Sequence, residues 1–256
     1  LTAQTEKRRA VVAACQFKAK AGELAILPGD GVDDWWGAIG AATHAGVWDL
    51  AGAASRLPAG TYRLANSAPG IAALGWLLAH DRFDRYLSKS EPVPERILLT
   101  TEAASIAEMV RQAEATSKVR ALVNTPAADL GPEELEAEAL ALAKAFDAKL
   151  TVTKGHSLET GYPMIHAVGK AAEKYRAPRL IELEWGNPAN PRIAVIGKGV
   201  VFDSGGLDIK PANGMRLMKK DMGGAAHALA LAKLIMETRL PVYLHMLVPA
   251  VENAIA

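Results

Sequence analysis

Four residues whose types suit metal and carbonyl chemistry, Lys198, Asp203, Lys210 and Asp221, stand close together in GKGVVFDSGGLDIKPANGMRLMKKDMGGAA (Gly197 to Ala226), threaded among seven glycines. Aspartate supplies hard oxygen ligands suited to Zn²⁺, Mn²⁺ or Mg²⁺, and one carboxylate can bridge two ions. A lysine among them is informative, because desolvation and a neighbouring dication both favour the free amine. Either Lys198 or Lys210 could therefore coordinate a metal, while the other, kept charged, would stabilise an oxyanion as activated water attacks a carbonyl. Taken singly, Asp221 reads as a helix N-cap and Lys210 as a surface cation; taken together, the four read as most of a metal site. A phosphate loop is excluded, since Lys198 is followed by Gly199 rather than Ser or Thr and Arg192 stands where the first glycine is needed. The dinucleotide pattern fails as well, with Phe202 at its third glycine.

Such residues must be held by regular elements on either side. An apolar run, Ile193 to Ile196, predicts a strand leading into the ligand loop, and Met222 to about Thr238 predicts a helix that is apolar nearly all round and so covered on several sides. Asp221 stands at its start as both N-cap candidate and ligand. Pro241 closes the helix and Val242 to Val248 is another strand, so strand, loop, helix and strand make a βαβ unit. KLTVTKG and RLIELEW supply two earlier strands. Ahead of them, LGPEELEAEALALAKAF predicts a helix with Pro132 in its first turn and Glu133, Glu134 and Glu136 near its positive end, in structural roles.

Upstream, Leu24 to Leu27, Tyr62 to Leu64 and Ile97 to Leu99 read as short strands. Ile71 to His80 fits either a helix or a strand core, and PGDG, LPAG and SEPVPE mark turns. Trp35, Trp36 and Trp76 are expected in core or subunit packing rather than as a ligand platform. His44, His80, His156, His166 and His245 are read as structural, and His227 carries no assigned role. Thr100 to Asn124 predicts a long helix with Thr101 as cap candidate. The expected organisation is a small mixed α/β domain over residues 1–101, a connecting helix over 102–123, and a second domain over 124–256 built on a mainly parallel sheet flanked by helices. The fold class is α/β.

A composition 50% hydrophobic with net charge +1 excludes a disordered chain and lacks the footprint of a dedicated nucleic-acid binder. No segment approaches the length of a membrane span, and the apolar run after the basic start is too short for a secretory signal. The single Cys15 allows neither an internal disulfide nor a thiolate metal site and fits a reducing cytoplasm.

The central motif, with VNTPAADLGPEEL, HAVGKA, RLIELEW and VPAVENAI, resembles the leucyl aminopeptidase family, the M17 cytosolic two-metal exopeptidases, over roughly Val119 onward. The resemblance implies that Lys198, Asp203 and Asp221 are metal ligands, Asp203 the bridging one, that Lys210 is the catalytic lysine, and that Met218 lines the pocket for the substrate's first side chain. It implies two divalent ions per subunit, Zn²⁺ or Mn²⁺, and peptide substrates with a free N-terminus. It further implies a preference for leucine-like residues, hydrolysis by a metal-bridged hydroxide, a cytoplasmic homohexamer, and a catalytic domain over 124–256. In the family that domain continues into an N-T-D-A-E-G-R motif carrying two more acidic ligands and an arginine that holds bicarbonate. These 256 residues end before such a motif, and Glu252 is a poor substitute for it. The expectation is part of a longer enzyme, with a non-catalytic metal-binding or scaffold homologue as the alternative.

Overall fold

The structure, a computed structural model, describes residues 5–41, 46–89 and 92–255; His44 and the first two residues of the SEPVPE turn lie outside them. Two compact units divide between Glu114 and Ala115.

In the first unit, helix α1 (Glu6–Ala14) follows Thr5, whose hydroxyl accepts the Arg8 N–H at 3.4 Å. Strand β1 (Leu24–Pro28) pairs antiparallel with β2 (Trp35–Ile39), Leu24 opposite Ile39 and Pro28 opposite Trp35. Helix α2 (Ala51–Arg56), strand β3 (Gly60–Arg63), helix α3 (Ala72–Leu78) and strand β4 (Arg96–Leu99) follow, with β3 and β4 parallel. Ile71 to His80 thus resolves as a helix, its buried face set by Ala72, Ala73, Trp76 and Leu78. Trp76 is buried in a small core with Leu50, Ala53, Ala54 and Leu57. Trp35 and Trp36 differ from it, being 39% and 49% exposed on a two-stranded ribbon too narrow to cover them. Trp35 meets Tyr62 edge-on at 5.8 Å, and the Arg8 guanidinium lies 5.6 Å from the Trp36 ring.

Helix α4 (Ala103–Asn124) leads to α5 (Pro132–Phe146), where Glu134 accepts the Gly131 N–H at 2.8 Å as the reach-back half of a capping box. At the head of α4 it is Thr100 Oγ1, not Thr101, that accepts the Glu102 N–H at 3.1 Å. Then come β5 (Lys149–Lys154), α6 (His156–Gly161), α7 (Pro163–Gly169), β6 (Arg179–Trp185), β7 (Arg192–Ile196), β8 (Gly199–Asp203), α8 (Ala212–Met215), a 3₁₀ turn over Met218–Met222, α9 (Gly223–Glu237) and β9 (Tyr243–Asn253). Among the glutamates of α5, Glu134 reaches back to the helix start, Glu136 binds Arg179 and Glu138 binds Lys118.

The five-stranded sheet is held together by β9. On one side β9 pairs antiparallel with β6, which pairs antiparallel with β5; on the other it pairs parallel with β7 and then with β8. Four strands therefore point one way and β6 alone is reversed. Alternate β9 residues, Leu244, Met246, Val248 and Ala250, are buried with Leu183, with Leu135, Ala139 and Ala143 of α5, and with Ala225, Leu229, Ala232 and Met236 of α9. The alanines let helix and sheet approach closely, while Leu and Met fill the space between. Truncating Leu244 or Leu183 to alanine costs about 2–5 kcal/mol in a site of this kind.

One feature departs from the sequence reading. The stretch from Gly197 was expected to be loop, yet it contains β8, its VVF run being β-prone. β7 and β8 lie along the same edge of β9 and are separated only by Gly197 and Lys198. At that break the Gly197 N–H still donates to Leu247 O at 3.0 Å, while the Lys198 carbonyl turns to accept the Ala225 N–H of α9 at 2.9 Å. Glycine is required there: a Cβ on Gly197 would lie 2.5 Å from Gly224 O, and one on Gly224 would lie 2.7 Å from Lys198 N.

Candidate metal centre

The break between β7 and β8, the turn after β8 and the 3₁₀ turn before α9 carry the candidate residues. Asp203 ends β8, and Gly205 and Gly206 follow with φ of 93° and 69°, in a left-handed turn that glycine adopts without strain. The turn folds back so that Lys210 N–H donates to Ser204 O at 3.0 Å. Lys210 Nζ consequently binds Asp203 Oδ2, lies 3.3 Å from the Asp203 carbonyl, and touches Met218 Sδ at 3.6 Å. Asp203, Lys210 and Met218 are thus brought into one cluster.

Lys198 and Asp221 form a second pair, with Lys198 Nζ 2.9 Å from Asp221 Oδ2. Asp221 was read as an N-cap, and the structure corrects this: Met222 occupies the cap position, no side chain caps α9, and the Lys198 carbonyl already satisfies the Ala225 N–H. Freed from capping, the Asp221 carboxylate turns toward Lys198. The 3₁₀ turn carrying Met218 and Asp221 packs against β8 and is anchored by Lys219, whose ammonium donates to Asn124 O at 2.6 Å and Val123 O at 3.1 Å.

The electrostatics of the pairs differ. Partial burial pushes the Asp203 carboxyl up. Hydrogen bonds from Lys210, the Gly205 N–H (3.0 Å) and the Asn253 amide (2.7 Å), with the Lys210 charge, outweigh that and hold it below the ordinary carboxylate range. Asp221 has no such donors: its Oδ2 is buried and faces Lys198 at ion-pair distance without hydrogen-bond geometry.

Each carboxylate therefore turns one oxygen toward a cationic nitrogen, and one of these oxygens is buried without a hydrogen bond. Such oxygens are what a hard divalent ion takes, and Lys198 adds a nitrogen donor. The residues fit part of a metal centre. Among the described residues no three His, Cys, Asp or Glu side chains converge. Glu252 lies elsewhere, bound to Arg176, and His227 is exposed with Nδ1 on Gly223 O at 2.7 Å. His245 faces Glu182 at 3.3 Å. His80 Nδ1 is 2.8 Å from Trp76 O.

Sequence reasoning missed Asn253, which contacts Asp203 directly. Its segment, VPAVENAI, had been marked, but only the parallel register of β8 on β9, Asp203 opposite Asn253, shows what the asparagine touches.

Comparison with known proteins bears on the same region. The profile of the cytosol aminopeptidase family, catalytic domain, matches residues 117–256, and that of the M17 aminopeptidase N-terminal domain matches residues 1–99. A probable cytosol aminopeptidase from Rhodococcus jostii is 37% identical over 223 residues, covering 79% of this chain and 44% of the relative. The crystal structure of cytosol aminopeptidase from Coxiella burnetii superimposes with a TM-score of 0.90 at 38% identity, over 100% of this chain and 56% of that one. The bottromycin maturation enzyme BotP in complex with Mn gives 0.84 at 31% identity, over 96% and 57%. The chain spans about half the length of the relatives it matches.

Proposed function

The chain belongs to the cytosol aminopeptidase family, M17, and from that premise we propose that its protein hydrolyses the N-terminal residue, leucine-like by preference, from peptides. The observation that carries this reading is the convergence of Asp203, Lys210 and Met218 beside the Lys198–Asp221 pair. Hydrolysis adds water across the first peptide bond: the carbonyl carbon gains an oxygen, the C–N bond breaks, and the departing amine takes a proton. Asp203, Asp221 and Lys198 would hold two divalent ions, Mn²⁺ or Zn²⁺, with Asp203 shared between them. Bound metal supplies Lewis-acid polarisation of the carbonyl and activation of water.

The chain's own residues do the rest. The Lys210 ammonium, steered by Asp203 and seated against the Met218 sulfur, is placed to donate to the oxygen that becomes negative as the carbonyl is attacked. Its side chain is 30% exposed, so water competes weakly for it. Met218, an adaptable thioether, would form a wall against an apolar first side chain. Asp203 is half-surrounded by protein donors, so its charge is retained where cations must gather.

We extend the reading to a cytosolic homohexamer acting on peptides with free N-termini. Among the described residues no helix is long and apolar enough to cross a membrane. The test is hydrolysis of leucine p-nitroanilide by the purified protein. Turnover should vanish on chelation and return with Mn²⁺ or Zn²⁺, whereas turnover indifferent to chelator would refute the reading.

A further inference from the structure

The asparagine at the end of β9 is tied to the candidate centre through both its backbone and its side chain. Asn253 O accepts the Ser204 N–H at 2.9 Å and the Ser204 hydroxyl at 2.8 Å, fixing the residue after Asp203. Asn253 Nδ2 donates to Asp203 Oδ1 at 2.7 Å, the oxygen that also takes the Gly205 N–H at 3.0 Å. Oδ1 is thus held by two protein donors, one from the turn after β8 and one from the end of β9, which cannot rotate away together. Oδ2 carries the Lys210 ammonium, which stands on a long, rotatable side chain. Gly206 completes the arrangement, since a Cβ there would come within 2.9 Å of Asn253 Oδ1, so the glycine leaves room for the amide.

We propose that Asn253 is a positioning residue for the metal-binding carboxylate of Asp203, its amide tying down Oδ1 so that Oδ2 is the oxygen turned to the cations. This rests on the aminopeptidase reading above. The physical reason is orientational. A carboxylate on a single rotatable bond offers its two oxygens in many directions, and a neutral donor on one of them selects a direction without adding charge. A lysine or arginine in that place would select a direction too, but would repel the ions. Partners of this kind contribute about 10–100-fold to metal affinity.

The experiment compares Mn²⁺ affinity by titration calorimetry, and the visible absorption of the Co²⁺-loaded protein, in the wild type, Asn253→Ala, Gly206→Ala and Asp203→Asn. Asn253→Ala removes the amide but keeps the backbone carbonyl that holds Ser204. Gly206→Ala keeps every polar group, drives a methyl at the amide and adds strain to the left-handed turn at φ 69°. Both should weaken Mn²⁺ binding by roughly tenfold or more and change the Co²⁺ spectrum, while circular dichroism keeps the wild-type form. Should either variant fail to fold, the other decides. Affinity within twofold of wild type and an unchanged Co²⁺ spectrum in the folded variants would overturn the role of Asn253, provided Asp203→Asn is impaired. If Asp203→Asn binds Mn²⁺ as well as wild type, the metal reading itself falls and the Asn253 assignment falls with it.

Discussion

The two lysine–aspartate pairs of the centre look alike in sequence and differ in structure. Asp203 takes donors from the turn after β8, from β9 and from Lys210, and its partner lysine is 30% exposed. Asp221 has one buried oxygen with no hydrogen bond, and its partner Lys198 is 60% exposed. The first pair is anchored by the sheet; the second is assembled where a strand break meets the start of a helix. A carboxylate with several protein donors keeps its direction whether or not a cation is present. One without them depends on the cation.

Breaking the anchored pair should have the largest effect. Asp203→Ala is expected to abolish measurable Mn²⁺ binding, a loss beyond the roughly 100-fold that an outer partner costs; retention of two metals per chain in elemental analysis would contradict its role as the shared ligand. Lys210→Ala comes next. It should lower kcat for leucine p-nitroanilide by about 10²–10³-fold with metal content nearly intact, as removal of an oxyanion donor does, and near-normal kcat would remove Lys210 from the chemistry.

Disturbing the strand break should act through packing. Gly197→Ala places a methyl against Gly224 O and Ala228 Cβ, so the helix start must shift, at about 1–3 kcal/mol of stability. Denaturant unfolding reads this cost, and an unchanged midpoint would show that the contact of α9 with the break is loose. Lys198→Ala should be milder for the fold, under about 1 kcal/mol, because so exposed an ion pair is screened by water. Its Mn²⁺ affinity should nonetheless fall; a wild-type affinity would leave Asp221 and Asp203 as the only donors of the four.

The smallest effect is expected at a pair remote from the centre. Lys149 and Glu184, 2.6 Å apart across β5 and β6, are tuned mainly by their mutual hydrogen bond, which raises the lysine and lowers the carboxyl. A lowered carboxyl contributes stability above the ordinary carboxylate range and loses it as pH falls through the folded value. Thermal melts of Lys149→Ala should therefore differ from wild type slightly at neutral pH and converge with it in acid. A difference that grew in acid would reverse the sign assigned here.

How much was legible in advance varies by element. β5, β6, β7 and α9 followed from apolar runs bounded by turn signals, which the structure turns into strands of the sheet and a helix buried nearly all round. β2, with its two partly exposed tryptophans, was not read as a strand because a narrow ribbon buries no regular face. β8 was hidden among glycines, since the residues that permit close approach to α9 are the same ones that read as loop. At the centre, residue types and spacing pointed to Lys198, Asp203, Lys210, Met218 and Asp221 as a group. The N-cap reading of Asp221 failed because α9 starts one residue later, with Met222 at the cap position and no side chain capping it.

The sequence by itself determined the family, the α/β class and the inventory of donors, since these depend on which side chains the chain carries and how they are spaced. Only the tertiary structure decided which lysine faces which aspartate and that Asn253 holds Asp203. The Asn253–Asp203 contact joins residues 50 positions apart, through the register of β8 on β9. Register is set by packing along the whole length of β9, and hydrogen-bond direction by register.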